Sequence, residues 1–119
     1  MKILVTDDSK MARKMVIKTL EESIDIAYEV YEATNGEEAV ALYKELNPNI
    51  VFMDLTMPIM NGFTALEYIK NYDKSANIVV ISADIQKQAI DKALLLGALN
   101  FIKKPIDATK MKQILSRVF

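Results

Sequence analysis

The chain has 119 residues, 51% hydrophobic and 26% charged, with 15 Lys and Arg against 16 Asp and Glu for a net charge of -1. A domain of this size buries a core without staples, and its near-neutral balance excludes a broadly basic nucleic-acid clamp or a polybasic membrane anchor. Cysteine and histidine are absent, which excludes a disulfide framework, a thiol nucleophile, a Cys/His zinc site and a histidine general base.

The first apolar run, Ile3-Leu4-Val5, reads as a buried strand continuing to Thr6. It is too short for a signal or membrane segment, so a soluble cytoplasmic protein is the expectation. After Asp7-Asp8-Ser9 comes a helix to about Glu22, with Ala12, Val16 and Leu20 at four-residue spacing and Met11 and Met15 beside them. A second strand spans Ala27 to Glu32, and Asn35-Gly36 breaks the chain. Glu37 to Leu46 is a helix with Ala39, Leu42, Tyr43 and Leu46 on one face, closed by Pro48. Ile50 to Met53 is a third strand, Thr56 to Gly62 a loop carrying Pro58, and Phe63 to about Asn71 a helix. Ile78 to Ile81 is a fourth strand. Gln86 to Leu96 is a helix stopped by Gly97, with Ile90, Ala93 and Leu94 in one stripe and Leu95 roughly opposite. Leu99 to Ile102 is a fifth strand, and Asp107 to Val118 a last helix with Met111, Ile114, Leu115 and Val118 inward.

Three of these strands are apolar at every position, as strands covered on both faces are. Five strand–helix alternations predict a parallel, doubly wound α/β domain over residues 1–119. No linker or repeat divides the chain, and no output domain is expected.

In such sheets ligands bind beyond the carboxyl ends of the strands. Asp7 and Asp8 follow the first strand, Asp54 the third, Ser82 and Asp84 the fourth, and Lys103, Lys104 and Pro105 the fifth. Three gathered carboxylates raise one another's pKa unless a cation sits between them. Magnesium, which takes one or two carboxylates and completes its shell with water and phosphate oxygens, answers that need. A lysine and a hydroxyl would neutralise and orient a phosphoryl group, and a carboxylate can attack phosphorus to give an aspartyl phosphate. The residues by themselves suggest Mg²⁺-assisted phosphorylation of a carboxylate.

Four motifs carry a resemblance: Ile3-Leu4-Val5-Thr6-Asp7-Asp8-Ser9, Asp54-Leu55-Thr56-Met57-Pro58-Ile59-Met60-Asn61-Gly62, Ser82-Ala83, and Phe101-Ile102-Lys103-Lys104-Pro105. In this order, over essentially the whole chain, they resemble the response-regulator receiver domains of two-component signalling. The resemblance implies a flavodoxin-like fold, a five-stranded parallel sheet of order 2-1-3-4-5 with five helices on its two faces; the strand order comes from the family. It implies that Asp54 accepts the phosphoryl group from a histidine kinase. Asp8 would then ligate Mg²⁺ directly, Asp7 would act more through water, and the backbone carbonyl of Thr56 would join Asp54 in completing the protein ligands. Ser82 resembles the switch hydroxyl, with small Ala83 leaving room beside it. Lys104 resembles the lysine that contacts the phosphoryl group; Lys103 competes by position, but the family places the functional lysine directly before the proline. Lys104-Pro105 is a cis candidate. Phe101 stands where the family keeps an aromatic that reports activation, although a core aromatic in a strand reads equally well.

Ordinary structural roles compete with these readings. Asp after a strand also caps turns and helices, and Ser9 competes with Asp7 and Asp8 for the first helix. Thr56 and Asp84, two residues beyond Asp54 and Ser82, depart from the most familiar pattern and would flank the phosphoryl group. Four function classes are weighed. The switch reading leads, with chemotaxis favoured over a phosphorelay intermediate. An Asp-nucleophile phosphohydrolase would need two aspartates separated by one residue after the first strand, whereas Asp7 and Asp8 are adjacent. A flavin carrier or P-loop protein would need a glycine-rich loop that Asp7-Asp8-Ser9-Lys10-Met11 lacks. A docking module that never receives phosphate would have no need of these charges. The switch would catalyse only its own phosphorylation and dephosphorylation. It would dock a target through the fourth helix, fifth strand and fifth helix, with Leu95, Gln88, Lys92 and Lys103 contributing. A phosphatase partner, a monomer or weak dimer, and neither nucleic acid nor membrane complete the expectation.

Overall fold

The computed structural model describes residues 1–83 and 85–119. Strands β1 (Lys2–Thr6), β2 (Glu29–Ala33), β3 (Ile50–Met53), β4 (Ile78–Ser82) and β5 (Asn100–Lys103) alternate with helices α1 (Lys10–Ser23), α2 (Gly36–Leu46), α3 (Gly62–Tyr72), α4 (Lys87–Leu95) and α5 (Ala108–Val118). The strands form one parallel sheet of order β2-β1-β3-β4-β5, as expected.

Alternation along the three central strands feeds two cores. Leu4, Val51, Met53, Ile78 and Val80 face Ala39 and Tyr43 of α2, Ala65, Leu66 and Ile69 of α3 and Ala93 of α4. Ile3, Val5, Ile50, Phe52, Val79 and Ile81 face Val16 and Leu20 of α1 and Met111, Ile114 and Leu115 of α5. Helices on both faces explain why these strands carry no polar alternation.

Caps set the helix boundaries. Ser9, Asn35, Asn61 and Asp107 each accept a backbone N–H three residues on, satisfying donors that the first turn leaves open. Asn47, in the left-handed region at φ 46°, ends α2 one residue before Pro48. Gly97, at φ 106°, follows α4 and packs so closely on the Lys70 stem that a Cβ would lie 2.8 Å from its Cε.

Three expectations need correction. Met11 and Met15 are 71% and 49% exposed, because α1 meets the core through Val16, Leu20 and the partly buried Ile17, and Met15, one position before Val16, is turned about 100° from it. Leu94 is exposed, leaving Ala93 as the fully buried residue of α4. The second strand begins at Glu29, with Ala27 exposed before it. No described helix is long and apolar enough to cross a membrane.

Candidate functional site

The parallel ladder delivers the polar residues to one edge. The Asp7 N–H donates to the Ala33 carbonyl at 3.1 Å, Asp54 N–H to Thr6 at 2.9 Å and Lys104 N–H to Ser82 at 2.9 Å. Each residue thus extends its strand by one bond before its side chain turns into the site. The Lys104-Pro105 peptide is cis.

One carboxylate oxygen from each of Asp7, Asp8 and Asp54 lies within 4.8 Å of the others. Asp7 and Asp54 are buried and Asp8 is exposed. The Lys104 Nζ stands 2.8 Å from Asp7 Oδ2 and 3.1 Å from Asp54 Oδ1. A single ammonium therefore faces two buried carboxylates, with a third beside them. Burial pushes the Asp54 carboxyl above the usual range, and the Asp7 charge adds to this, against the opposing pull of Lys104. For Lys104, burial acts to lower the pKa, but the bonds to Asp7 and Asp54 outweigh it and raise the value. The donors are all hard oxygens, and the exposed Asp8 leaves a bound ion open to solvent, which suits a magnesium ion that retains water. Lys104 already takes the place of a cation between two of the acids.

The backbone around Asp54 is tightly constrained. The Gly62 N–H donates to the Leu55 carbonyl at 2.9 Å, and a Cβ on Gly62 would lie 2.1 Å from the Asp54 carbonyl oxygen. Only glycine permits that approach. Between them, Met60 N–H donates to the Pro58 carbonyl at 2.7 Å, closing a tight turn around Ile59. Ile59 has φ 68°, a conformation that costs a β-branched residue about 1–3 kcal/mol. The Gly36 N–H holds the same loop through the Met60 carbonyl at 2.8 Å. Thr56 lies in this loop with an exposed side chain.

Ser82 is buried at the end of β4, and exposed Ala83 follows it. Lys103, opposite Ser82 in register, is exposed, so it is Lys104 that enters the site. Phe101 is half-buried against the core that includes Val80 and Ala93. Ser9 caps α1, with its hydroxyl 3.2 Å from Ala12 N, while Asp7 Oδ1 accepts the Ser9 N–H at 2.9 Å. Capping thus falls to Ser9 and leaves Asp7 Oδ2 for Lys104. Asp84 lies outside the described residues. On the expected docking face Leu95 is 88% exposed and Gln88 is exposed. Lys92 is exposed as well, with its Nζ 4.5 Å from the Phe63 ring centre of α3.

Arg13 was missed by sequence reasoning. Its Nη1 donates to the Asp7 carbonyl at 2.8 Å and its Nε to Glu32 at 2.8 Å. A basic residue in the first helical turn, one turn beyond the cap, was the available signal. Its acceptor is a backbone carbonyl, which no side-chain pattern announces.

A model of the response regulator receiver domain family matches residues 3–116. Protein CcdB of Bacillus subtilis is 41% identical over 117 residues, covering 98% of this chain and 96% of that protein. The chemotaxis protein CheY of Thermotoga maritima is 42% identical over 118 residues, covering 98% and 96%. Among solved structures, the complex of CheX, CheY, BeF3 and Mg²⁺ from Borrelia burgdorferi superposes with a TM-score of 0.85 at 38% identity, covering 99% of this chain and 88% of that one. The family match over residues 3–116, the relatives at about 40% identity over nearly the whole chain and the structural superposition lead to one conclusion: the chain belongs to the response regulator receiver domain family.

Proposed function

We propose that this receiver is a chemotaxis-type phosphorylation switch in which Asp54 accepts a phosphoryl group from a histidine kinase. The observation that carries the reading is the convergence of Asp7, Asp8 and Asp54 on one another, with Lys104 bridging the two buried acids. Asp8, Asp54 and the Thr56 carbonyl would hold Mg²⁺, with Asp7 reaching it through water. The ion would neutralise the acids and the transferring phosphoryl oxygens. The Asp54 oxygen attacks phosphorus in line as the bond to the donor histidine nitrogen breaks. Lys104 meets the added charge from the other side. The relatives named CheY, and the neighbour holding BeF3 and Mg²⁺, support this reading.

Ser82 and Phe101 serve as the switch pair. A phosphoryl group on Asp54 offers the Ser82 hydroxyl a new acceptor, and its movement lets Phe101 sink further against the α4 side of the core. Such a group biases two pre-existing conformers. α4 suits the responding element because it buries only Ala93 fully, and thinly packed elements move at low cost. The target docks on α4, β5 and α5. Leu95 stands proud there, and a groove of about 350 Å³ runs along β5 and α5 between Asn100, Phe101, Lys110, Gln113 and Arg117. The domain acts in the cytoplasm, catalyses only its own phosphorylation and dephosphorylation, and is open to a phosphatase partner.

Incubation with acetyl phosphate and Mg²⁺, read by intact mass, tests this. One phosphoryl adduct is expected, lost with chelator and in Asp54→Asn. A wild-type protein that gains no adduct would favour a docking module instead.

A further inference from the structure

Asp8 is exposed, yet a metal ligand must be aimed. Its direction depends on the peptide plane between Asp7 and Asp8, since that plane fixes the Asp8 nitrogen and hence the start of its side chain. The Asp7 N–H and both Asp7 side-chain oxygens are engaged, with Ala33, Ser9 and Lys104. The Asp7 carbonyl oxygen lies in the 7–8 plane, and Arg13 Nη1 donates to it at 2.8 Å. The guanidinium is itself fixed, because its Nε is bonded to Glu32 Oε1 on β2 at 2.8 Å. Arg13 is 11% exposed at its side chain and Glu32 44%, so the fork is enclosed on the site side and open on the β2 side.

We infer that Arg13 is a positioning residue for the cation pocket, holding the Asp7–Asp8 peptide plane so that the Asp8 carboxylate points at Asp54, with Glu32 setting the guanidinium. This rests on the proposed magnesium pocket. Only arginine can make both bonds: its planar fork presents divergent donors, whereas a lysine offers one point charge that cannot span Asp7 and Glu32 together.

The sign of the effect separates positioning from electrostatics. Arg13 is a cation beside a cation site, so removing its charge alone would draw Mg²⁺ in more strongly. Removing a clamp on a ligand's backbone would weaken binding instead. Partners that orient metal ligands are worth roughly tenfold or more in affinity.

The test is an Mg²⁺ titration of the full chain, followed through backbone amide NMR shifts of the β1–α1 turn, with thermal unfolding recorded for each variant. Arg13→Met and Arg13→Lys are each expected to weaken Mg²⁺ binding about tenfold, with the Asp8 amide displaced before any metal is added. Glu32→Ala, which keeps the Arg13 charge but frees its side chain, is expected to weaken binding about threefold with little change in Tm, as an exposed ion pair contributes little stability. Equal or tighter binding by Arg13→Met, or full affinity in Arg13→Lys, would overturn the inference. A wild-type chain that binds no Mg²⁺ would overturn the pocket itself, and this role with it.

Discussion

Two aspartates, at opposite ends of the molecule, show how the same side chain serves opposite purposes. Asp73 caps the C-terminus of α3. It accepts the Ser75 N–H at 3.0 Å, the Ser75 hydroxyl at 2.7 Å and the Tyr43 hydroxyl at 2.7 Å. Those donors, Ser75 first, hold its carboxyl below the usual range. Asp54, beyond the carboxyl end of β3, is buried, stands near two other acids and shares one lysine with Asp7. Its carboxyl is held above the usual range. Asp73 is fully supplied with donors and stabilises the fold. Asp54 is under-supplied, which costs stability and suits the cation and the reaction proposed for it.

The largest expected disruption falls on the backbone that supports Asp54. Gly62→Ala would drive a methyl into the Asp54 carbonyl, 2.1 Å away. A clash with backbone cannot be relieved by a rotamer change, so a loss of about 3 kcal/mol is expected in urea unfolding. The acetyl phosphate adduct should fall with it. At the other end, Tyr43→Phe removes one of Asp73's donors from a buried ring and should lower Tm by about 4 °C, with Mg²⁺ binding unchanged.

The pH dependence sharpens the contrast, because the two shifts have opposite signs. The depressed Asp73 value contributes stability that is complete above the unfolded pKa and is lost as pH falls through the folded value. Tyr43→Phe should shrink that acid-induced loss in denaturation curves. The raised Asp54 value works the other way in metal-free protein: stability falls as pH rises from the unfolded pKa through the folded one, and stays lower above it. At neutral pH, metal-free Asp54→Asn should therefore unfold at a slightly higher temperature than wild type. Mg²⁺ should erase that advantage by stabilising wild type more. Equal Tm values with and without metal would remove the asymmetry between the two aspartates.

Much of this was legible in the sequence because burial and ligation each leave a pattern. Uninterrupted apolar runs such as Ile50-Val51-Phe52-Met53 announce a sheet covered on both faces, and acids directly after such runs land at one edge once the strands are parallel. Met11, Met15 and Leu94 misled because apolar character records only what a residue tolerates. Which part of a helix meets the sheet is set by how the helix sits. The contacts of Arg13 and Lys92 were beyond reach for a different reason. One donates to a carbonyl and to a side chain on another strand, and the other lies over a ring on a neighbouring helix. Neither follows from spacing along the chain.

The central claim is that Asp54 is the residue that takes the phosphoryl group. The most direct measurement is borohydride reduction after treatment with acetyl phosphate and Mg²⁺, which converts an aspartyl phosphate to homoserine, followed by peptide sequencing. Homoserine at position 54, and only when Mg²⁺ is present, is the result predicted here. Homoserine at position 7 or 8, or an unmodified Asp54 in protein that carries the adduct, would contradict it.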